Sequence, residues 1–310
     1  MAKARAKLLP VKPAGTAADD IKALRDAVVI ESDLLLSDLC LPELGLPERS
    51  VRSRLHDRGV RWDRNTPAGS KLAELKAILH NKSTGRRYAV AQGCRVPELY
   101  WFGKATEPPD FSRFPPNFVL KPDQSHSTQG VVVCRDGVDL IAQKKVLLSD
   151  LPELMTRIAP SIGLTADAKW LVEELVLDAN PQYGIPLDFK LFCAGGRAHL
   201  LFCSDRNGKH SHWSASWYTR SWQRINERMN YGFMLGPTLA KPMGFEALLE
   251  IGDHLARALS IFLRIDCYMS PKGPVFGEFS PFPSHGLKNT EIGERALSQL
   301  WSLFPDPEGL

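Results

Sequence analysis

Near the C-terminal end two apolar runs, Arg264-Ile265-Asp266-Cys267-Tyr268 and Val275-Phe276-Gly277-Glu278-Phe279-Ser280, flank Ser270-Pro271-Lys272-Gly273. Runs of this kind around a Pro- and Gly-bearing turn predict an antiparallel hairpin. Residues two apart on a strand share a face, so Arg264 and Asp266 point one way, and Glu278 and Ser280 do the same. With Pro271-Lys272-Gly273 as a three-residue loop, Pro opens a type I turn and Gly takes the left-handed position after it. Ser270 then pairs with Pro274, and Asp266 falls opposite Glu278. Two carboxylates face to face repel each other, and a cation between them relieves this. A hard divalent ion such as Mg²⁺ wants carboxylate oxygens, and Arg264 beside it suits a phosphate. The alternative is a surface hairpin whose charges point into water.

A second segment bears on that choice. Phe118-Val119-Leu120-Lys121-Pro122 reads as a short apolar strand ending in Lys. The polar loop Asp123-Gln124-Ser125-His126-Ser127-Thr128-Gln129-Gly130 follows, and then the strand Val131-Val132-Val133-Cys134. Successive backbone N–H groups of such a loop can cradle phosphate oxygens, and a lysine adds a point charge. With a single Gly, this is neither a Walker loop nor a G-x-G-x-x-G turn.

At these residues the chain resembles the ATP-grasp superfamily, and within it the TupA-like branch associated with teichuronopeptide biosynthesis. The resembling stretches are Phe118 to Gly137, Leu171 to Lys190, and Arg264 to Gly286 with its Gly277-Glu278-Phe279-Ser280-Pro281 run. The resemblance implies an α+β fold in which two α+β subdomains clamp ATP. A small helical region is expected over 1–80, the phosphate-loop subdomain over 81–165, and the metal-bearing subdomain over 166–310. Residue by residue, it implies that Lys121 reaches the α- and β-phosphates and that Ser125, His126, Ser127 and Thr128 form the flexible loop above them. Glu173, Glu174, Leu175 and Val176 resemble the linker whose backbone reads the adenine edge. Asp188 and Lys190 resemble the acidic and basic pair that reaches ribose and phosphate. Asp266 and Glu278 match the metal-binding acids, and Arg264 matches the arginine on the transferred phosphate. Ser280 stands where Asn is frequent and is a weaker ligand. The family's other lysine has no clean match; Lys82 is nearest, with Arg86 or Arg87 as substitutes. The cofactors implied are ATP and Mg²⁺ or Mn²⁺.

Composition agrees with a soluble enzyme. With 310 residues, 44% of them hydrophobic, the chain has enough apolar surface for two or three cores. No apolar run reaches membrane-spanning length. The basic N-terminus lacks an apolar signal core, so a cytoplasmic location is expected. Six cysteines, at 40, 94, 134, 193, 203 and 267, show no metal spacing, and four fall in expected strands as buried thiols. The net charge of +4 fits anionic ligands without demanding nucleic acid.

Local pattern predicts helices over Asp19 to Ile30, Ser37 to Leu44, Pro47 to Asp57 and Lys71 to His80. Further helices are expected over Ser149 to Ile158, with Ser149 as N-cap, and over Gly244 to Phe262. Strands are expected over Lys169 to Val176, Leu187 to Ala194 and Ala198 to Ser204, the last two joined by Ala194-Gly195-Gly196-Arg197. Residues 34–55 also read as a helix-turn-helix in which Arg49, Arg52 and Arg54 meet DNA, or as a helical bundle with a solvated basic face. Lys209 to Arg228 gathers His210, His212, Trp213, Trp217, Tyr218, Arg220, Trp222 and Arg224. That segment reads as a lid over an acidic substrate, or as packing. His285 either contacts substrate or caps a turn.

The function expected is a Mg²⁺-dependent ligase that activates a carboxylate as an acyl phosphate and joins it to an amine. The carboxylate belongs to a small molecule, a peptide or a uronic-acid polymer, and a homodimer is the expected assembly. Phosphotransfer to a hydroxyl, and a DNA-binding regulator that senses ATP, are the alternatives.

Overall fold

The computed structural model describes residues 48–63, 66–67, 69–125 and 128–307. The helices expected over Asp19 to Ile30 and Ser37 to Leu44, the first half of the helix-turn-helix, and His126 and Ser127 lie outside them.

Helices α1 (Val51–Asp63), α2 (Lys71–Leu79) and α3 (Lys82–Ala91) precede a first sheet. Its strands are β1 (Leu99–Lys104), β2 (Phe118–Pro122), β3 (Val132–Arg135), β4 (Val138–Asp139), β5 (Lys144–Lys145) and β6 (Lys169–Glu174), in the order β1-β6-β2-β3-β4-β5. Helix α4 (Leu151–Ser161) lies between β5 and β6 in the chain. The second sheet holds β7 (Asp188–Ala194), β8 (Arg197–Asp205), β9 (Ser214–Thr219), β10 (Arg224–Ile225), β11 (Met234–Leu235), β12 (Leu263–Ser270) and β13 (Gly273–Ser280). Its order is β10-β9-β8-β7-β12-β13, with β11 parallel on β9. Helices α5 (Phe245–Leu259) and α6 (Glu291–Leu303) complete the described chain. None of the described helices is long and apolar enough to cross a membrane.

The two sheets follow from alternation. In the first, Phe118, Leu120, Trp170 and Val172 pack on Leu151 and Met155 of α4. Val119, Lys121, Leu171 and Glu173 therefore face the other way. In the second, Leu191 and Cys193 of β7 and Ile265 and Cys267 of β12 pack with α2, α3 and α5. The opposite face of β7 carries Phe192 and Ala194, which pack with α1 and α6, and then Asp188 and Lys190. One sheet face thus changes from apolar to charged along its length, and the charged end is where the site forms.

β6, expected to open the second subdomain, sits between β1 and β2 of the first sheet. The crossing to the second sheet falls between Glu174 and Asp188, because β6 carries the apolar face that α4 covers. α2 is likewise no separate unit: Leu75 and Leu79 enter the core beneath the second sheet.

The hairpin contains a correction and its compensation. Ser270 pairs with Gly273, not Pro274, so the loop is the two residues Pro271 and Lys272. Gly273 takes φ +100°, which only glycine adopts freely. A bulge at Gly277 then shifts the ladder by one, so that Cys267 pairs with Phe276 but Asp266 still faces Glu278. A Cβ on Gly277 would meet the Asp266 carbonyl at 3.0 Å.

Other expectations changed with tertiary context. α4 is N-capped by Asp150, and the Ser149 hydroxyl instead donates to the Asp150 carboxylate at 3.0 Å. α3 and α6 went without a sequence expectation. α3 carries Gly85 where a Cβ would lie 3.0 Å from Phe279, a packing demand that hides the helical pattern. α6 did carry signals: Thr290 caps Gly293 N–H at 3.1 Å, and Ala296, Leu297, Leu300 and Trp301 share one face. The Gly195-Gly196 hairpin forms as expected, with both φ values positive. Cys134, Cys193, Cys203 and Cys267 are buried free thiols in strands.

The Lys209 to Arg228 segment is packing rather than a lid. Trp217 lies on β9 and stacks on Phe202, with centroids 4.4 Å apart. Arg220 donates two parallel bonds of 2.8 Å to Asp253 and another to the Ala198 carbonyl. β9 is paired on both sides and Arg220 is clamped to α5, which holds Trp217 and Arg220 in place. Two of the three arginines expected on DNA are similarly used: Arg54 bonds Ser302 at 2.9 Å, and Arg49 pairs with Asp57, while Arg52 is exposed. His285 takes φ +49° in a turn and stacks on Phe282 at 5.7 Å.

His199 gives this fold a pH signature. It is buried, its ring 4.6 Å from that of Phe304 and 3.2 Å from the Ala194 carbonyl. Burial pushes its pKa down from 6.5 to about 4, against the Ala194 carbonyl, which favours the proton. The unfolded chain therefore takes up the proton first. Stability is complete above the unfolded value and is lost as pH falls from about 6.5 to about 4. Across that window thermal melts should show wild type losing stability relative to His199→Phe as pH falls; parallel curves would exclude His199 as the cause.

Candidate functional site

The site forms where the charged end of the second sheet meets the open face of the first. Asp266, 2% exposed, is its centre. Arg264, two residues along β12, donates from Nε at 2.6 Å to Oδ1 and from Nη2 at 2.7 Å to Oδ2. Arg264 Nη2 also donates to Ser280 Oγ at 2.9 Å across the hairpin. Lys190, directly opposite Asp266 on β7, bonds its Oδ2 and reaches Asp188 Oδ2 at 2.5 Å. Burial pushes the Asp266 carboxyl up, but Arg264 and Lys190 outweigh it and hold the pKa at about 2. Burial likewise disfavours the Arg264 cation, and Asp266 more than restores it.

Lys82 opens α3 and turns toward the same place. α3 runs along edge strand β13, with Gly85 against Phe279, which brings Lys82 Nζ to 3.8 Å from Glu278 Oε2. Its ammonium also donates to the Ser125 carbonyl in the loop after β2. Burial pushes its pKa below the ordinary value, Glu278 opposes that, and Lys121 adds to it. The loop is anchored from the other side by Asp123, which accepts from Ser83 N–H at 2.7 Å and from Ser83 Oγ at 2.8 Å. Lys121 Nζ lies 2.5 Å from Glu173 Oε1, and Arg86 lies 3.8 Å from its other oxygen.

The fold therefore gathers Lys82, Lys190, Arg264, Asp188, Asp266, Glu278 and Ser280 in one place, with Lys121 close enough to influence Lys82. Of the three candidates for the lysine without a clean sequence match, Lys82 lies beside Glu278, while Arg86 and Arg87 line a separate hollow. Glu174 accepts from Glu98 N–H at 3.0 Å and from Arg95 at 3.4 Å. Leu175 and Val176 are buried, and Leu175 packs with Val133 and Ile185. Thr128 sits in the loop turn, its carbonyl accepting from Val131 N–H at 3.2 Å. Arg206 is the site residue that sequence reasoning missed: it bonds Asp188 Oδ2 at 2.9 Å and lies 5.7 Å from the Trp213 ring and 5.8 Å from Phe233. Its only local signal is a charge that ends the apolar run of β8.

Among the described residues no three acidic, His or Cys side chains are gathered as a metal centre. The donor set nevertheless fits Mg²⁺ with a polyphosphate. Mg²⁺ is commonly held by one or two carboxylates, with waters and substrate phosphates supplying the rest. Asp266 and Glu278 are such a pair, and the nearby Asp188 Oδ1 is buried with no hydrogen-bond partner. The surrounding cations suit phosphate oxygens.

The TupA-like ATP-grasp family pattern matches residues 70–296. No curated protein matches the chain. Among solved structures, the D-alanine–D-alanine ligase of Bacillus anthracis complexed with ATP is similar at 12% identity and a TM-score of 0.47, over 74% of this chain and 66% of that one. The D-alanine–D-alanine ligase of Helicobacter pylori is similar at 14% identity and a TM-score of 0.42, over 72% and 61%. An L-amino acid ligase of Bacillus licheniformis is similar at 15% and 0.41, over 77% and 50%. This chain spans less than two thirds of the length of each of these three. With the family pattern running through both sheets and most of the chain, the protein belongs to the TupA-like ATP-grasp family.

Proposed function

We propose that this protein is an ATP-dependent ligase that activates a carboxylate as an acyl phosphate and joins it to an amine. The observation that carries the reading is the convergence of Lys82, Lys190 and Arg264 on the Asp266–Glu278 pair, with Lys121 alongside, between two sheets. Family membership supports ATP-dependent carboxylate–amine ligation in general terms.

A carboxylate is a poor electrophile. Its oxygen attacks the γ-phosphorus, the bond to the β-phosphate oxygen breaks, and ADP leaves. The amine then attacks the acyl carbon, inorganic phosphate departs, and the nitrogen loses a proton. Charge spreads over the phosphoryl oxygens in the first transition state, so positioned cations carry the catalysis. Arg264 and Lys190 neutralise those oxygens, and Lys121 and Lys82 hold the phosphates behind them. Asp266 and Glu278, with Ser280 beside them, would hold Mg²⁺ or Mn²⁺, which supplies charge neutralisation between phosphates. Glu173 to Val176 form the strand end and linker against which the base would lie. Asp188, oriented by Arg206 and Lys190, would meet the ribose.

The test incubates the protein with ATP and panels of carboxylates and amines, read by mass spectrometry. The expected result is ADP, phosphate and an amide. A phosphorylated hydroxyl compound would instead make the protein a phosphotransferase, and no ATP consumption with any pair would remove the reading.

Lys121→Ala should weaken nucleotide binding by about 1–3 kcal/mol, the range for a hydrogen bond to a charged group. Glu173 keeps Arg86 as a partner in that variant, so the fold should tolerate it. Calorimetry that finds unchanged ATP affinity would remove Lys121 from the phosphate site.

A further inference from the structure

A second hollow, of 540 Å³, lies between α3 and edge strand β1, and none of Lys190, Arg264, Asp266 or Glu278 lines it. Three cations do: Arg86, Arg87 and Lys169. Arg86 is largely buried, yet its Nη1 makes no hydrogen bond. Its one acid, Glu173, forms a 3.8 Å ion pair with it and is shared with Lys121 at 2.5 Å, so the Nη1 donor stays unmet. Arg87 is exposed and enters no ion pair among the described residues. The two acids of the lining are occupied. Asp123 is bonded through both oxygens by Ser83, and Asp167 accepts from Thr106 at 3.2 Å.

The hollow also has an apolar wall. Phe102 is 38% exposed, unusual for a large aromatic, and Lys169 Nζ sits 5.2 Å over its ring. The volume lies within the range of small-molecule sites. Guanidinium groups without acceptors match carboxylate or phosphate oxygens in paired hydrogen bonds. A largely buried arginine with an unmet donor is costly unless something fills that need.

We propose that this hollow binds a small organic oxyanion, its carboxylate or phosphate group on Arg86 and Arg87 and its apolar body against Phe102. The hollow shares Asp123 and Gln124 with the loop after β2, but Arg87, Lys169 and Phe102 take no part in the ligase chemistry above. Glutarate and inorganic phosphate are titrated calorimetrically into wild type and Arg87→Ala, without nucleotide. Arg87 has no partner to lose, so the variant should melt as wild type does. Its affinity for the tighter probe should fall by about tenfold, the weight of one charged hydrogen-bonding group. Tighter glutarate assigns a carboxylate, and tighter phosphate assigns a phosphate ester. Equal affinity of wild type and variant for both probes, or no binding of either to wild type, overturns the proposal.

Discussion

Glu278→Gln and Asp266→Asn should each lower turnover by about 10²–10³-fold, the loss typical when one charge-stabilising group leaves a catalytic centre. The two variants should differ in stability. From the sequence, Asp266 and Glu278 are repelling carboxylates, and removing either relieves the fold. In the structure Asp266 is instead the shared counter-ion of Arg264 and Lys190, all three buried. Asp266→Asn takes from Arg264 its only carboxylate partner and leaves Lys190 with Asp188 alone, and should unfold more readily. Glu278 has one ionic partner at 3.8 Å and is partly exposed, so Glu278→Gln should melt near wild type while losing activity. Full activity in Glu278→Gln would sink the metal assignment, because folding could not mask the result. Acid titration gives a second readout. The Asp266 carboxyl titrates near 2 in the folded protein, below its ordinary 3.8. Its contribution to stability is complete above about 4 and is lost as pH falls through about 2. Wild type and Asp266→Asn should therefore approach one another between pH 4 and 2, and a constant offset would contradict the ion-pair account.

Arg58→Ala should cost about 3–5 kcal/mol, the range for removing one partner of a buried ion pair. Arg58 is 2% exposed on α1. Its Nη1 bonds the carbonyls of Phe262 at 2.8 Å and Pro281 at 2.6 Å, and its Nη2 bonds Asp306 at 2.7 Å. Its guanidinium stacks 4.5 Å from the Trp301 ring. The side chain thus joins α1 to α6, to the start of β12 and to the segment after β13. Truncation leaves the Asp306 carboxylate without its cation and takes a donor from two carbonyls in a part-buried site. Arg58→Lys keeps the charge but loses the planar fork, so its loss should be intermediate. Denaturant unfolding measures both, and a loss below about 1 kcal/mol for Arg58→Ala would show that water or a neighbour replaces the guanidinium.

Strands β7, β8, β12 and β13 and the Gly195-Gly196 turn were legible in the sequence because their causes are local. Short apolar runs and positive-φ glycines act over a few residues. The pairing of Asp266 with Glu278 was legible too, but through two offsetting errors: the loop is one residue shorter than expected, and the Gly277 bulge returns that residue. A bulge depends on how the β12 backbone and Tyr268 crowd one glycine, which the hairpin pattern does not encode. Lys82 was ambiguous because its role depends on Gly85 meeting Phe279 from a distant strand. The aromatic run Trp213 to Trp222 had two readings, lid and packing, for the same reason. Whether a tryptophan forms a wall or a core depends on its cross-strand neighbour, and for Trp217 that neighbour is Phe202. The sequence alone determined which residues carry the charges and which strands hold them. Only the tertiary structure decided which charges neutralise one another, because ion pairs act over a few ångströms between segments far apart in the chain.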